Sequence, residues 1–155
     1  MNFSALSYIL EHDPLKCKSG KTKIMVFGTF DGIHKGHLEF LKQARRLAEN
    51  PYLIVSIARD ANVMKIKGER PHFKEKIRAG FVSGSGLADK VVLSGLRNHI
   101  PHIVKEGPEI IALGYDQRAY VKNLKENLES RKIYVKIRRL RPYKKNIYKN
   151  HLIRR

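Results

Sequence analysis

The 155-residue chain has a single cysteine, no apolar run long enough to span a bilayer, and no acidic side chain after Glu129. Each shortage excludes something. One thiol, Cys17, allows no internal disulfide and fits a reducing, cytoplasmic setting. It lies between lysines in linker-like sequence. No stretch approaches the roughly 18 uninterrupted apolar residues of a transmembrane helix. The opening MNFSALSYILEHD has neither the basic start nor the small-residue cleavage site of a secretory leader, so none is expected. No internal repeat or low-complexity segment interrupts the chain. What remains is 42% hydrophobic and 30% charged, a globular profile of a size that suits one domain.

The charge that is present is one-sided. Lys and Arg number 32 against 14 Asp and Glu, a formal +18, and eleven of the basic residues lie in 131–155. Such a tail draws in nucleotides, polyphosphates or nucleic acid, unless it is only a solvated surface. Only Tyr134, Tyr143 and Tyr148 offer stacking partners within it, and no RNA-binding module is recognisable. Nucleic acid is the less expected of these partners, and a catalytically weakened nucleic-acid-binding protein stays open as the alternative of another class.

Hydrophobic patterning gives an alternation of strands and helices. Residues 3–11 have the spacing of a short helix, followed by the linker DPLKCKSGK, so 1–22 reads as an extension to a domain over 23–155. Short apolar runs at 23–27, 52–58, 90–93, 109–113 and 132–137 predict five strands. Helical periodicity predicts helices at about 36–49, 73–83, 98–106 and 118–130, with Pro101 in the first turn of the third. Strands separated by helices in this way imply βαβ units and a mostly parallel sheet covered on both faces. Ligands of such sheets bind at the carboxyl ends of the strands, where the first strand here meets Gly28.

The segment that follows is GTFDGIHKGH, residues 28–37. Gly28 lets a phosphate approach the backbone. A helix starting near Gly36 offers N–H groups and a positive dipole end. His34 and His37, three residues apart across that start, can both face one anion, with Gly36 keeping the approach open. Two donors aimed at a phosphate stabilise charge that develops on it during displacement. The alternatives are histidines that only cap or pack, and an HxxH metal site.

This segment resembles the (G)TFDxxHxGH motif of the cytidylyltransferase-like superfamily of nucleotidyltransferases. The likeness continues beyond it. Ala58-Arg59-Asp60, Lys65-Ile66-Lys67-Gly68, Arg70-Pro71 and Glu75 to Arg78 resemble, in order and spacing, a segment of archaeal FAD synthases. Leu113-Gly114-Tyr115-Asp116-Gln117 resembles their LGxDQ loop, and Tyr143-Lys144-Lys145 a basic segment near their C-terminus. The match covers about residues 23–149.

The resemblance implies a Rossmann-like three-layer α/β sandwich with five strands, and transfer of AMP from ATP to FMN by direct in-line attack. A sugar phosphate, glycerol 3-phosphate or phosphopantetheine acceptor stays open. Thr29 and Phe30 would hold the α-phosphate through their backbone, beside Asp31, with His34 and His37 stabilising it. Lys65 or Lys67 would approach the triphosphate or acceptor, and Asp60, Tyr143, Lys144 and Asn150 would lie on the acceptor or phosphate side. Arg78 would add a guanidinium to the polyphosphate; Gly114, Asp116 and Gln117 would shape the base and ribose pocket. Bland readings stand beside these: loop charges for the lysines, a surface pairing of Arg78 with Glu75, a helix cap for Asp116. Mg²⁺ or a similar ion is expected with the ATP, held by no protein side chain, and the family likeness suggests a homodimer with contact material in 73–87. Two departures stand out. Asn150-His151 replace a Ser/Thr pair that opens the superfamily's last helix, and the N-terminal extension has no counterpart.

Overall fold

The computed structural model describes residues 20–118 and 123–143. The predicted N-terminal helix, Lys144 and Asn150 lie outside these residues. The elements run β1 (Thr22–Gly28), α1 (Lys35–Arg45), β2 (Pro51–Ile57), α2 (Asp60–Lys67), α3 (Glu75–Gly84), β3 (Lys90–Leu93), α4 (His99–Glu106), β4 (Ile110–Leu113), α5 (Leu124–Ser130) and β5 (Lys136–Arg139).

The strands form one sheet in the order β3-β2-β1-β4-β5, and every pairing is parallel. β1 pairs with β2 from Thr22 opposite Pro51 to Gly28 opposite Ile57, and with β4 from Ile24 opposite Ile110 to Val26 opposite Ala112. The central strand is apolar on both faces because both are covered, which is why TKIMVFG reads as a run rather than an alternation. Ile24 and Val26 join Leu41 and Ala44 of α1 and Val82 of α3 in one core layer. Met25 faces the other way, into a layer with Ile100 and Ile103 of α4 and Leu124 and Leu128 of α5. Each such fully buried Leu or Ile contributes about 1.5–3 kcal/mol. These two layers make the predicted three-layer sandwich. Among the described residues no helix is long and apolar enough to cross a membrane.

Four elements depart from the sequence reading, one of them α5, which begins at Leu124 behind Asn123 at φ 67 and not near residue 118. Hydrophobic periodicity gives α2 no helix, because Met64 and Ile66 point to solvent and leave no apolar stripe. Its ends define it instead: Asp60 in the first turn and Gly68 at φ 75, a left-handed stop. β5 begins four residues later than predicted, since Lys132 turns at φ 59 and Ile133 and Val135 pack against the core before the ladder starts. α1 ends at Arg45, short of residue 49, although Leu47 and Ala48 still pack on the core.

In this strand order the chain leaves β1 towards β2 and β3 and later returns to β1's other side as β4. That is the topological switch point, and the loops after β1 and β4 flank its crevice.

Candidate active site

The β1–α1 loop begins with an intrusion that the sequence reading assigned differently. A Cβ on Gly28 would lie 2.5 Å from Cε2 of Phe30, so Gly28 makes room for the Phe30 ring rather than for a phosphate. Phe30, at φ 51, turns its ring inward, where it is 2% exposed, and packs on His37 with centroids 5.3 Å apart. The positive φ is tolerated because burial of the ring fixes the turn.

His34 is the N-cap of α1, and its Nδ1 accepts from the Gly36 and His37 amides at 3.1 and 3.4 Å. The Nδ1 of His37 accepts in return from the His34 amide at 3.4 Å. This is a capping box built from two imidazoles. The helix N–H groups expected to face a ligand are therefore taken up by His34, and the rings themselves become the donor surface. With Nδ1 accepting, a neutral ring carries its proton on Nε2, as a donor. The two rings stack at 3.7 Å with 28° between planes. Burial, the neighbouring His34 and the Lys67 charge lower the His37 pKa to about 4, against a hydrogen bond to the Gly32 backbone that raises it. His37 is thus a neutral donor at pH 7.

Asp31 closes the loop onto the segment between α2 and α3: its oxygens accept from the His72 and Phe73 amides at 2.6 and 2.8 Å. Beneath lies Arg78, 0% exposed. Its Nε donates to the Phe73 carbonyl at 2.9 Å, and its terminal nitrogens to the carbonyls of Thr29 at 2.7 Å and Ala58 at 2.8 Å and to Asp60 Oδ1 at 2.6 Å. Neither the polyphosphate contact nor the surface pairing with Glu75 describes it. A guanidinium buried this way tethers the ends of β1 and β2 to α3. Glu75 pairs with Arg59 at 3.1 Å and exchanges caps with Asp60, whose amide donates to Glu75 Oε2 at 2.9 Å. Asp60 is accordingly a partner of Arg78 in this scaffold.

The two lysines separate. Both sit in the last turn of α2, which is helix rather than loop. Lys67 Nζ reaches Thr29 Oγ1 at 3.4 Å and its charge is felt at His37. Lys65, two residues away and so rotated by about 200° on a helix, is exposed elsewhere.

Across the crevice, Gln117 bridges the two strand ends. Its Oε1 accepts from the Gly114 amide at 2.8 Å, and its Nε2 donates to the Phe27 carbonyl. Gly114 is tight for the same reason, since a Cβ there would meet Gln117 Cγ at 3.3 Å. Asp116 is exposed at the crest of this turn, with no hydrogen-bond partner among the described residues. Arg139, which the sequence reading passed over, donates to carbonyls of the same loop. Its only sequence signal is membership of a basic run. Tyr143 lies beyond β5, partly buried, at the last described position. No three His, Cys, Asp or Glu side chains converge as metal ligands among the described residues.

The model of a family described as cytidylyltransferase-like matches residues 25–155. The chain is similar to an FAD synthase of Korarchaeum cryptofilum, 45% identical over 119 residues, 76% of this chain and 80% of the relative. An FAD synthase of Methanosarcina barkeri is 41% identical over 110 residues, 71% of this chain and 76% of the relative. Among solved structures, a lipopolysaccharide core biosynthesis protein from Thermoplasma volcanium superposes with a TM-score of 0.73 at 31% identity, covering 80% of this chain and 99% of that one.

Proposed function

The chain belongs to the cytidylyltransferase-like family, and from that premise we propose that it is an FMN adenylyltransferase, joining AMP from ATP to FMN to give FAD and pyrophosphate. The observation that carries the reading is the stacked His34–His37 pair at the switch point, with His37 held neutral and Lys67 beside it.

The step is one displacement. A phosphate oxygen of FMN attacks the α-phosphorus of ATP, a new P–O bond forms, and the bond to the β-phosphate oxygen breaks in line with it. Pyrophosphate departs with the electron pair. No protein nucleophile is required, so the residues act by position and charge. The Thr29 and Phe30 backbone would receive the α-phosphate, and the imidazoles of His34 and His37 would stabilise its equatorial oxygens, the His37 N–H exchanging its Gly32 backbone partner for a phosphate oxygen. A phosphate in contact would also raise the His37 pKa by supplying a negative partner. Lys67 would balance charge on the polyphosphate or the incoming FMN phosphate. The loop 114–117 would receive the base and ribose.

A divalent ion such as Mg²⁺ would arrive with the triphosphate and neutralise it and the departing pyrophosphate. The reading includes a cytoplasmic homodimer, with α3 as contact material; Ile77 there is 49% exposed. A sugar phosphate acceptor is the second reading, motivated by the likeness to the Thermoplasma volcanium lipopolysaccharide core biosynthesis protein.

The test is turnover of purified protein with ATP or CTP against FMN, a heptose phosphate, glycerol 3-phosphate and phosphopantetheine. FAD and pyrophosphate from ATP and FMN are expected, with turnover reduced about 100-fold or more in His37→Ala, as for loss of a transition-state donor. No FAD under any condition would sink the FMN assignment.

A further inference from the structure

We propose that Arg139 is a positioning residue for nucleotide selection: it holds the carbonyls of loop 114–117 in the arrangement that receives the base. What the loop binds rests on the function proposed above; how the loop is held does not.

Within the loop, two amides are already used. The Gly114 amide donates to the Gln117 side chain at 2.8 Å and the Gln117 amide donates to the Gly114 carbonyl at 3.2 Å. Three carbonyls face one side, those of Gly114, Tyr115 and Gln117, the first of them shared with the Gln117 amide. All three converge on Nη1 of Arg139, at 2.8, 3.5 and 3.0 Å. Aligned carbonyl dipoles repel one another, and a cationic donor at their focus offsets that repulsion. Without it, the turn would relax by splaying its carbonyls towards water, moving Asp116 and the edge offered to a base.

The fold puts Arg139 there by register. Leu113 pairs with Arg139 across β4 and β5, and the Leu140 amide donates to the Leu113 carbonyl at 2.8 Å. The loop therefore starts beside Arg139. Its neighbour Arg138 points to the opposite face, as alternate strand residues must, and donates only to the Ile137 carbonyl among the described residues. Two adjacent arginines thus carry equal charge and unequal jobs, which makes one the control for the other.

The experiment titrates ATP by calorimetry into the full chain and its Arg139→Ala, Arg139→Lys and Arg138→Ala variants without acceptor, and then measures kinetics. Removing a charged hydrogen-bond donor of this kind is expected to weaken ATP binding about tenfold in Arg139→Ala. Arg139→Lys should recover part of it, since it restores the charge but not the planar fork. Arg138→Ala should match the wild type. The ATP KM should rise in parallel while kcat at saturating ATP and the thermal midpoint stay near wild type.

Unchanged ATP affinity in Arg139→Ala overturns the inference. So does an equal loss in Arg138→Ala, which would reduce the effect to bulk charge, or a fall in kcat with KM constant. If the wild type binds ATP and Arg139→Ala weakens it but no FAD forms, this inference stands and the FMN assignment falls. A wild type that binds no ATP overturns both.

Discussion

Replacing Arg78 by Met keeps most of the side-chain volume and removes the charge. It leaves three carbonyls, of Phe73, Thr29 and Ala58, and the Asp60 carboxylate without their donor. Removing one member of a buried ion pair costs about 3–5 kcal/mol. Asp60 is 38% exposed, so water relieves part of its loss and the lower end applies. The orphaned carbonyls keep the total near 3–4 kcal/mol. For a chain of this length each kcal/mol lowers the melting temperature by about 2–4 °C, so the midpoint should fall by about 10 °C. Arg78→Lys retains a charge opposite Asp60 but cannot serve four acceptors from one nitrogen; about half the loss is expected. Urea unfolding and thermal melts of both variants measure this directly. A loss below about 1 kcal/mol in Arg78→Met would refute the tethering argument. So would an Arg78→Lys variant with a normal melt and a raised ATP KM, the behaviour of a polyphosphate ligand.

Other consequences follow from the same geometry. Lys67→Ala should lower turnover about tenfold to a hundredfold, and Lys65→Ala less than about threefold; the reverse order would mean that α2 presents its other side to the substrate. His37 has a folded pKa of about 4 against an ordinary 6.5, so the unfolded chain takes up its proton first as pH falls. The stability it contributes is present above pH 6.5 and is lost between about 6.5 and 4, on the order of 3 kcal/mol. Denaturation of wild type and His37→Gln across that window should show the difference, and parallel curves would contradict it. Gly28→Ala forces its Cβ against the Phe30 ring and should cost about 1–3 kcal/mol as well as turnover, because Phe30 backs His37. Gly80→Ala, where a Cβ inside α3 meets nothing, should instead stabilise by about 0.5–1 kcal/mol.

The sheet and the candidate site are legible in the chain alone, because both are local in it. A buried parallel strand needs an unbroken apolar run, and TKIMVFG could be little else. The ten residues 28–37 carry their own turn, cap and donors, so contacts three residues apart bring His34 and His37 together without help from the rest of the fold. Whatever depends on two distant segments meeting needs the folded chain. Arg78 reads as an accessible cation because nothing nearby in the chain announces that Thr29 and Ala58 will surround it. Lys65 and Lys67 are equivalent in a linear pattern and are separated only once α2 forms, a helix with no apolar stripe to reveal it. Gly28 looks like a clearance for ligand until the Phe30 ring fills the space. Arg139 is one of eleven basic residues in the tail, and only the β4–β5 register sets it under the loop after β4. Periodicity reports which face a residue takes; it does not report what stands opposite, and that is where positioning residues get their meaning.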